Sequence, residues 1–247
     1  MKEKMRAAVF EGVGQFAIKD VPAPTIKRDD EVLLEVQAAG ICGTDLHILA
    51  DPPGHPAAPN TILGHEYTAR VVEVGACVEH LQTGDKVVID PNLTCGRCTY
   101  CLTGHPNSCE NMTTLGIFLD GGLAPYNAAP ARALHKISSD VAPHIAAWGE
   151  PLSCIINGTK KIKLHPGESV LVLGAGAIGL LFISMLKAAG AGKIIAAELS
   201  DYRGEFARSA GADLVIKQQG SDLSNIVKEE TEFGVDVVVD AVGALLP

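Results

Sequence analysis

Four cysteines crowd the stretch CGRCTYCLTGHPNSC, at Cys95, Cys98, Cys101 and Cys109. Three thiols at C-x2-C-x2-C spacing and a fourth a short loop away can converge on one point, because Gly96 and Gly104 let the chain curl tightly. That donor set suits a closed, tetrahedral structural zinc site. An iron–sulfur cluster uses the same ligand type and stays open here as the competing metal. The chain has seven cysteines in all, an odd number. In a reducing cytoplasm this does not suit a disulfide framework, and metal binding is the better use of clustered thiols. Cys77 and Cys154 have no histidine or cysteine at ligand spacing and read as buried small apolar residues or free thiols.

A second ligand set is scattered. Cys42 lies in AAGICGTDLH, and His65 and Glu66 lie in LGHEY. A thiolate, an imidazole and a carboxylate on separate loops make three protein ligands with a fourth position open. This is the arrangement of catalytic zinc, where a bound alcohol or water loses its proton near neutral pH. Glu150, in AWGEPLSC, is a candidate fourth carboxylate that comes and goes. Thr44 and His47 follow Cys42 closely enough for a hydroxyl and an imidazole to pass an alcohol proton to solvent. An isolated cysteine or histidine usually serves packing, and His55, His80, His105, His135, His144 and His165 are read as loop or surface residues. Only the combination carries chemistry.

The third constellation is GAGAIG, with Gly174, Gly176, Ile178 and Gly179. It follows an apolar run of strand character and opens a helical run. In that context Gly174 permits the turn, Gly176 lets the backbone approach a pyrophosphate, and Gly179 allows close helix packing. Glu198 ends the next apolar run, where a carboxylate accepts hydrogen bonds from both ribose hydroxyls of NAD and repels the 2′-phosphate of NADP. Arg203 works the other way, because a guanidinium beside the adenosine can receive that phosphate. NAD is the favoured cofactor.

These residues need elements to position them, and the pattern changes near residue 155. Before it, EVLLEVQAAG, EYTARVVEVG and DKVVID alternate and are punctuated by Gly, Pro and Asp, which predicts an antiparallel or barrel-like β domain with long loops over residues 1–154. After it, SVLVLG, KIIAAE, ADLVIK and GVDVVVDAVG alternate with helical stretches, which predicts a parallel doubly wound sheet over 155–247. The uncharged run SVLVLGAGAIGLLFISML just reaches membrane-spanning length, but its glycines divide it into a strand and a helix. The 247 residues are 47% hydrophobic and 20% charged, enough to bury a sizeable core, with a formal net charge of −9. That charge disfavours nucleic-acid and anionic-membrane partners. The start MKEKMRAAVF has no apolar run before a cleavage site, so no secretory signal is expected and a cytoplasmic location is.

Taken together, ICGTDLH, GHEY, the CGRCTYC segment with Cys109, EPLSC, and GAGAIG with Glu198 resemble the zinc-dependent medium-chain dehydrogenases, in that family's order and approximate spacing, along the whole chain. The resemblance implies a fold that is α/β plus β: a GroES-like catalytic domain, then a Rossmann domain, with the active site in the cleft between them. It implies one catalytic zinc at Cys42, His65 and Glu66, one structural zinc at the four cysteines, NAD as hydride carrier, an alcohol or polyol substrate, and a homo-oligomer of two or four subunits. Glutamates at 66 and 150 look like the polyol and threonine dehydrogenase branch. Classical ethanol dehydrogenases instead take a cysteine in the region of residue 154, which leaves Cys154 a minor claim on the metal. Ala69 stands where the family often has glycine. The chain is also shorter than family members, ending at GVDVVVDAVGALLP after the fourth strand of a Rossmann sheet. It is therefore expected to be carboxyl-terminally truncated, lacking the last strands and the segment that returns to the catalytic domain, with VDVVVDAV left as an apolar edge. The rival reading is a non-catalytic zinc- and dinucleotide-binding remnant. A zinc-free quinone reductase of the same superfamily would lack these ligands.

Overall fold

The computed structural model describes residues 3–217 and 219–243. Residues 1 and 2, at the head of the stretch read for a signal, and residues 244–247, the tail of GVDVVVDAVGALLP, lie outside the described residues. The chain forms two units, Met1–Glu150 and Pro151–Pro247.

The first unit is built on antiparallel sheets. A five-stranded sheet runs in the order Leu134–Ile137, Lys86–Ile89, Tyr67–Val74, Glu31–Ala39, Tyr126–Pro130. In a three-stranded sheet Lys4–Gly12 is central, pairing with Gln15–Pro22 on one side and Thr61–Ile62 on the other. Alternating residues of the larger sheet, including Val32, Leu34, Ala69, Val71, Val87 and Ile89, face one buried core. That is the half-buried strand signature expected from period-2 patterning. A further pair of short strands, Asn92–Leu93 and Thr113–Thr114, pinches the base of the four-cysteine loop through the register Asn92↔Thr114 and Leu93↔Thr113.

The strand Glu31–Ala39 does most of the positioning. It pairs with Tyr67–Val74 in the register Ala39↔Tyr67, with irregularities at Leu33/Leu34 and Val36/Ala38. Because the pairing is antiparallel, the residues that leave after Ala39 lie opposite those that enter before Tyr67. The Gly40 N–H donates to the Glu66 carbonyl at 2.7 Å and extends the ladder one step. Cys42 is thereby carried towards His65 and Glu66, and the irregularities beside this exit add local twist where a strand must re-aim its end.

In the second unit a parallel sheet has the order Leu214–Ile216, Lys193–Ala197, Ser169–Leu173, Val237–Asp240. Its first three strands in that order are covered on both faces, whereas Val238 of Val237–Asp240 is exposed. Val170, Val172, Ile194, Ala196 and Val239 meet Ile183 and Leu186 of the helix Ala177–Ala188 and Ala207 of the helix Asp201–Ala210. The alternate residues Leu171, Ile195 and Ile216 meet Val227 of the helix Gly220–Thr231. Helices on both faces explain why these strands read as unbroken apolar runs. The stretch SVLVLGAGAIGLLFISML is thus a core strand, a turn and a core helix. Among the described residues no helix is long and apolar enough to cross a membrane.

Candidate metal centres and dinucleotide site

The ligand atoms of Cys42, His65 and Glu66 all lie within 4.8 Å of one another. Cys42 caps the short helix Gly43–Leu49, which carries Thr44 on its first turn and His47 on its last. The Cys42 sulfur is 3.5 Å from Thr44 Oγ1. Burial pushes the Cys42 thiol up, against the lowering effect of Thr44, and the carboxylate of Glu66 raises it further. A thiol and a carboxylate held this close resist sharing two negative charges, and a cation between them removes the conflict. His65 is buried, and its Nδ1 has no hydrogen-bond partner, being 3.8 Å from Asp45 Oδ1, which is likewise buried and unpartnered. A mixed thiolate, imidazole and carboxylate set with polar atoms left open in a buried site fits zinc. Glu150 stands in the first turn of the helix Gly149–Ile162 and is not a member of the three-residue cluster.

Asp45 joins this site without having stood out in the sequence. Its Oδ2 accepts the Cys42 N–H at 2.9 Å, so it closes the first turn of the helix while its other oxygen faces His65. Burial pushes its pKa up, countered by the Cys42 N–H and by His65. The available signal was an aspartate three residues after a helix-capping position, a spacing that lets a side chain reach back to the cap amide.

The four sulfurs of Cys95, Cys98, Cys101 and Cys109 form the second cluster, also within 4.8 Å of one another, and none is in a disulfide. Tetrahedral zinc with Zn–S bonds of about 2.3 Å requires sulfur separations of about 3.8 Å. The Cys98 and Cys101 sulfurs are 3.5 Å apart, close to that edge length. Backbone amides point at the sulfurs: Cys95 N–H donates to Cys109 Sγ at 3.2 Å and Cys98 N–H to Cys95 Sγ at 3.3 Å. The N–H groups of Arg97 and Cys98 bring the Cys95 thiol down to about 6, and those of Cys101 and Glu110 lower Cys98 as well. Burial and the Cys98 thiol raise Cys101 to about 11. Amides aimed at sulfur favour thiolates, the form that holds metal. Cys77 and Cys154, by contrast, are exposed.

The glycine-rich turn and Glu198 stand side by side because Leu173 pairs with Ala197 in parallel register, so both strands end together. Gly174 has a φ of 86°, which suits glycine. A Cβ on Gly179 would collide with the Gly174 carbonyl oxygen, whereas a Cβ on Gly176 would meet open space at the cap of the helix Ala177–Ala188. An open concavity at a helix N-terminus fits a phosphate. Ile178 is exposed on that first turn. Glu198 is buried, with Oε2 accepting the Ala175 N–H and Oε1 accepting the Ser200 N–H, each at 2.9 Å. Burial opposes its charge, but those two amides and Arg203 hold its pKa below the usual glutamate value. Arg203 Nη1 is 3.8 Å from Glu198 Oε2.

Residues 28–139 match the alcohol dehydrogenase GroES-like domain and residues 177–246 the zinc-binding dehydrogenase domain. An L-threonine 3-dehydrogenase of Pyrococcus horikoshii is 38% identical over 99% of this chain and 71% of its own. The chain belongs to the zinc-binding alcohol dehydrogenase family. Two solved structures are similar over nearly the whole of this chain. A zinc-binding dehydrogenase from Sinorhizobium meliloti 1021 bound to NADP has a TM-score of 0.91 at 33% identity, covering 98% of this chain and 71% of that one. An alcohol dehydrogenase from Escherichia coli CFT073 complexed with NADH has a TM-score of 0.89 at 32% identity, with the same coverage. The chain therefore has the GroES-like and Rossmann-type architecture of these dehydrogenases and spans about 71% of their length.

Proposed function

We propose that this protein is a zinc-dependent oxidoreductase that moves a hydride between a secondary alcohol or polyol and NAD. Residues 1–154 form the catalytic domain and 155–247 the portion that binds the dinucleotide. The observation that carries this reading is the cluster of Cys42, His65 and Glu66, a mixed donor set gathered in one place and separate from the four-thiol cluster. A zinc ion held by these three residues would supply Lewis acidity, lowering the pKa of an alcohol substrate.

The chain's own residues do the rest. His65 turns Nδ1 towards Asp45, which leaves Nε2 as its ligand atom. Thr44 is half-buried and His47 exposed, and they lie three apart on one short helix, on the same face. Thr44 Oγ1 would accept the alcohol proton as its own hydroxyl proton leaves for the His47 ring, which releases a proton to solvent. Glu150 would be a further carboxylate ligand that comes and goes at this site. In the second unit the open turn at Gly176 and the start of the helix receive the pyrophosphate, with Gly174, Ile178 and Gly179 shaping the turn. The lone pairs of Glu198 not used by Ala175 and Ser200 accept the ribose hydroxyls, and its charge disfavours a 2′-phosphate. Cys95, Cys98, Cys101 and Cys109 would hold a structural zinc. The substrate is a small neutral molecule, the protein acts in the cytoplasm, and its charge of −9 opposes nucleic-acid and anionic-membrane partners.

The test is metal analysis joined to an alcohol panel. Purified protein should carry two zinc ions, one labile to mild chelation, and should reduce NAD with a secondary alcohol or polyol. A well-folded sample without zinc would refute the reading.

A further inference from the structure

The strand Tyr67–Val74 begins with a fully buried tyrosine directly after His65 and Glu66. Its hydroxyl donates to Asn127 Oδ1 at 2.9 Å, and Asn127 is itself buried. The two residues belong to strands separated by Glu31–Ala39, so the Tyr67 side chain reaches across the intervening strand. A phenylalanine would fill nearly the same volume without desolvating a hydroxyl, whose burial is tolerable only when it is hydrogen-bonded. The polar pair therefore asks for a role beyond filling space.

That role is legible in what Asn127 holds. Its Nδ2 donates to the Asp120 carbonyl at 2.8 Å and the Gly121 carbonyl at 3.2 Å. The loop so fixed is stitched to the segment before the ligand pair. Gly121 N–H donates to Ile62 O, Gly122 N–H to Gly64 O and Leu123 N–H to Leu63 O, at 2.8, 2.8 and 2.9 Å. Asp120 Oδ1 accepts the Ile62 N–H at 2.9 Å. The fit admits no slack: a Cβ on Gly122 would collide with the Tyr67 ring, and one on Gly121 with the Gly64 carbonyl oxygen. The loop thus flanks His65 and Glu66 on both sides, through backbone bonds to residues 62–64 and, by way of Asn127, through the Tyr67 hydroxyl.

We propose that Tyr67 and Asn127 are positioning residues that set the His65–Glu66 backbone for metal binding at Cys42, by locking the loop at 120–123 against both flanks of that dipeptide. The inference rests on the reading of Cys42, His65 and Glu66 as a zinc site. Tyr67→Phe removes the hydroxyl and leaves Asn127 Oδ1 unpaired, freeing the amide to turn and release the loop. Groups hydrogen-bonded directly to metal ligands change metal affinity by about 10- to 100-fold when altered, and a pair one step further back should act at the lower end of that range.

The experiment uses the full chain, wild type and Tyr67→Phe, with Asn127→Ala as a second variant that attacks the loop side. Zinc retention is measured against a graded chelator, and Co2+ is loaded at the labile site to read its visible bands. The expected result is that both variants lose zinc from the Cys42 site about tenfold more readily. The cobalt bands shift, and the four-cysteine site keeps its metal. A variant whose melting temperature falls while chelator competition and cobalt bands match wild type would overturn the proposal, because the pair would then serve packing alone. Wild-type protein that binds metal only at the four cysteines would overturn the underlying assignment, and this outcome is distinct from the first.

Discussion

Replacing Asp45 by asparagine tests whether a buried carboxylate governs the labile metal. The substitution is isosteric. The amide oxygen of the new side chain would still accept the Cys42 N–H that Asp45 Oδ2 accepts at 2.9 Å, so the helix cap, worth about 1 kcal/mol, survives. What changes is the atom facing His65 Nδ1 at 3.8 Å, from an anionic oxygen to an N–H. With Nε2 on the metal, Nδ1 carries its proton and needs an acceptor, and two donors would face each other instead. Asp45 Oδ1 faces Nδ1 at 3.8 Å without a hydrogen bond, so the loss should fall towards the lower end of the range of about 10- to 100-fold in metal affinity that direct partners show. At about 1.4 kcal/mol per decade that lower end is about 1.4 kcal/mol, larger than the residual difference at the cap. Asp45→Asn should therefore weaken zinc binding at Cys42 with little loss of helix, whereas Asp45→Ala should lose both. Chelator competition reads the first effect and thermal melting of metal-free protein the second. If Asp45→Asn held the labile zinc as tightly as wild type, Asp45 would be a helix cap and nothing more.

Cys98→Ser should mainly lower the melting temperature and Cys42→Ser mainly turnover, because metal in a closed thiolate site contributes folding free energy whereas metal in an open site contributes chemistry; scanning calorimetry and NADH absorbance separate them. Glu198→Ala should weaken NAD and narrow the preference over NADP, since ribose hydrogen bonds and phosphate repulsion vanish together, with titration of both dinucleotides as the measurement. Wild-type protein that bound NADP more tightly than NAD would reverse the assignment. Asp213, held by the Ile194 N–H at 2.8 Å and Lys187 at 3.1 Å, has a pKa below the usual value. A depressed folded-state pKa gives stability that is present above the unfolded value, near about 3.9, and lost as pH falls through the folded one. Asp213→Asn should therefore destabilise near neutral pH and converge on wild type in strong acid, as followed by denaturant melts across pH.

How much of this was legible beforehand depended on the range of the interaction. The four-cysteine loop announced itself because its ligands are near neighbours, and the glycine-rich turn did so because turn and helix are continuous in sequence. Cys42 and His65 are not adjacent in that sense. Residue type suggested them, but what joins them is the Ala39↔Tyr67 register, which a hydrophobic pattern permits without specifying. The coarse division into an antiparallel half and a parallel half was readable for a related reason, since burial on one face or two leaves alternating or continuous apolar runs. Contacts behind the ligands left no such trace. Asp45 carried only a weak local signal, Tyr67 was one residue of an alternating run, and Asn127 drew no reading at all until the fold brought hydroxyl to amide.

The same contrast separates the two metal clusters physically. The four thiols are arranged by their own loop, with backbone amides supplied from within residues 95–110 and a two-stranded clasp closing it. Such a site can organise locally and should resist changes elsewhere in the sheet. Cys42, His65 and Glu66 are arranged by everything around them: one strand exit, one helix cap, one loop that flanks His65 and Glu66 on both sides. An open coordination position needs ligands held in place by the protein, because three ligands define a site less completely than four. The density of hydrogen bonds around residues 62–67 is what that requirement predicts. It follows that substitutions distant in sequence, at Asn127 or Asp120, should alter the labile metal while leaving the four-cysteine metal untouched.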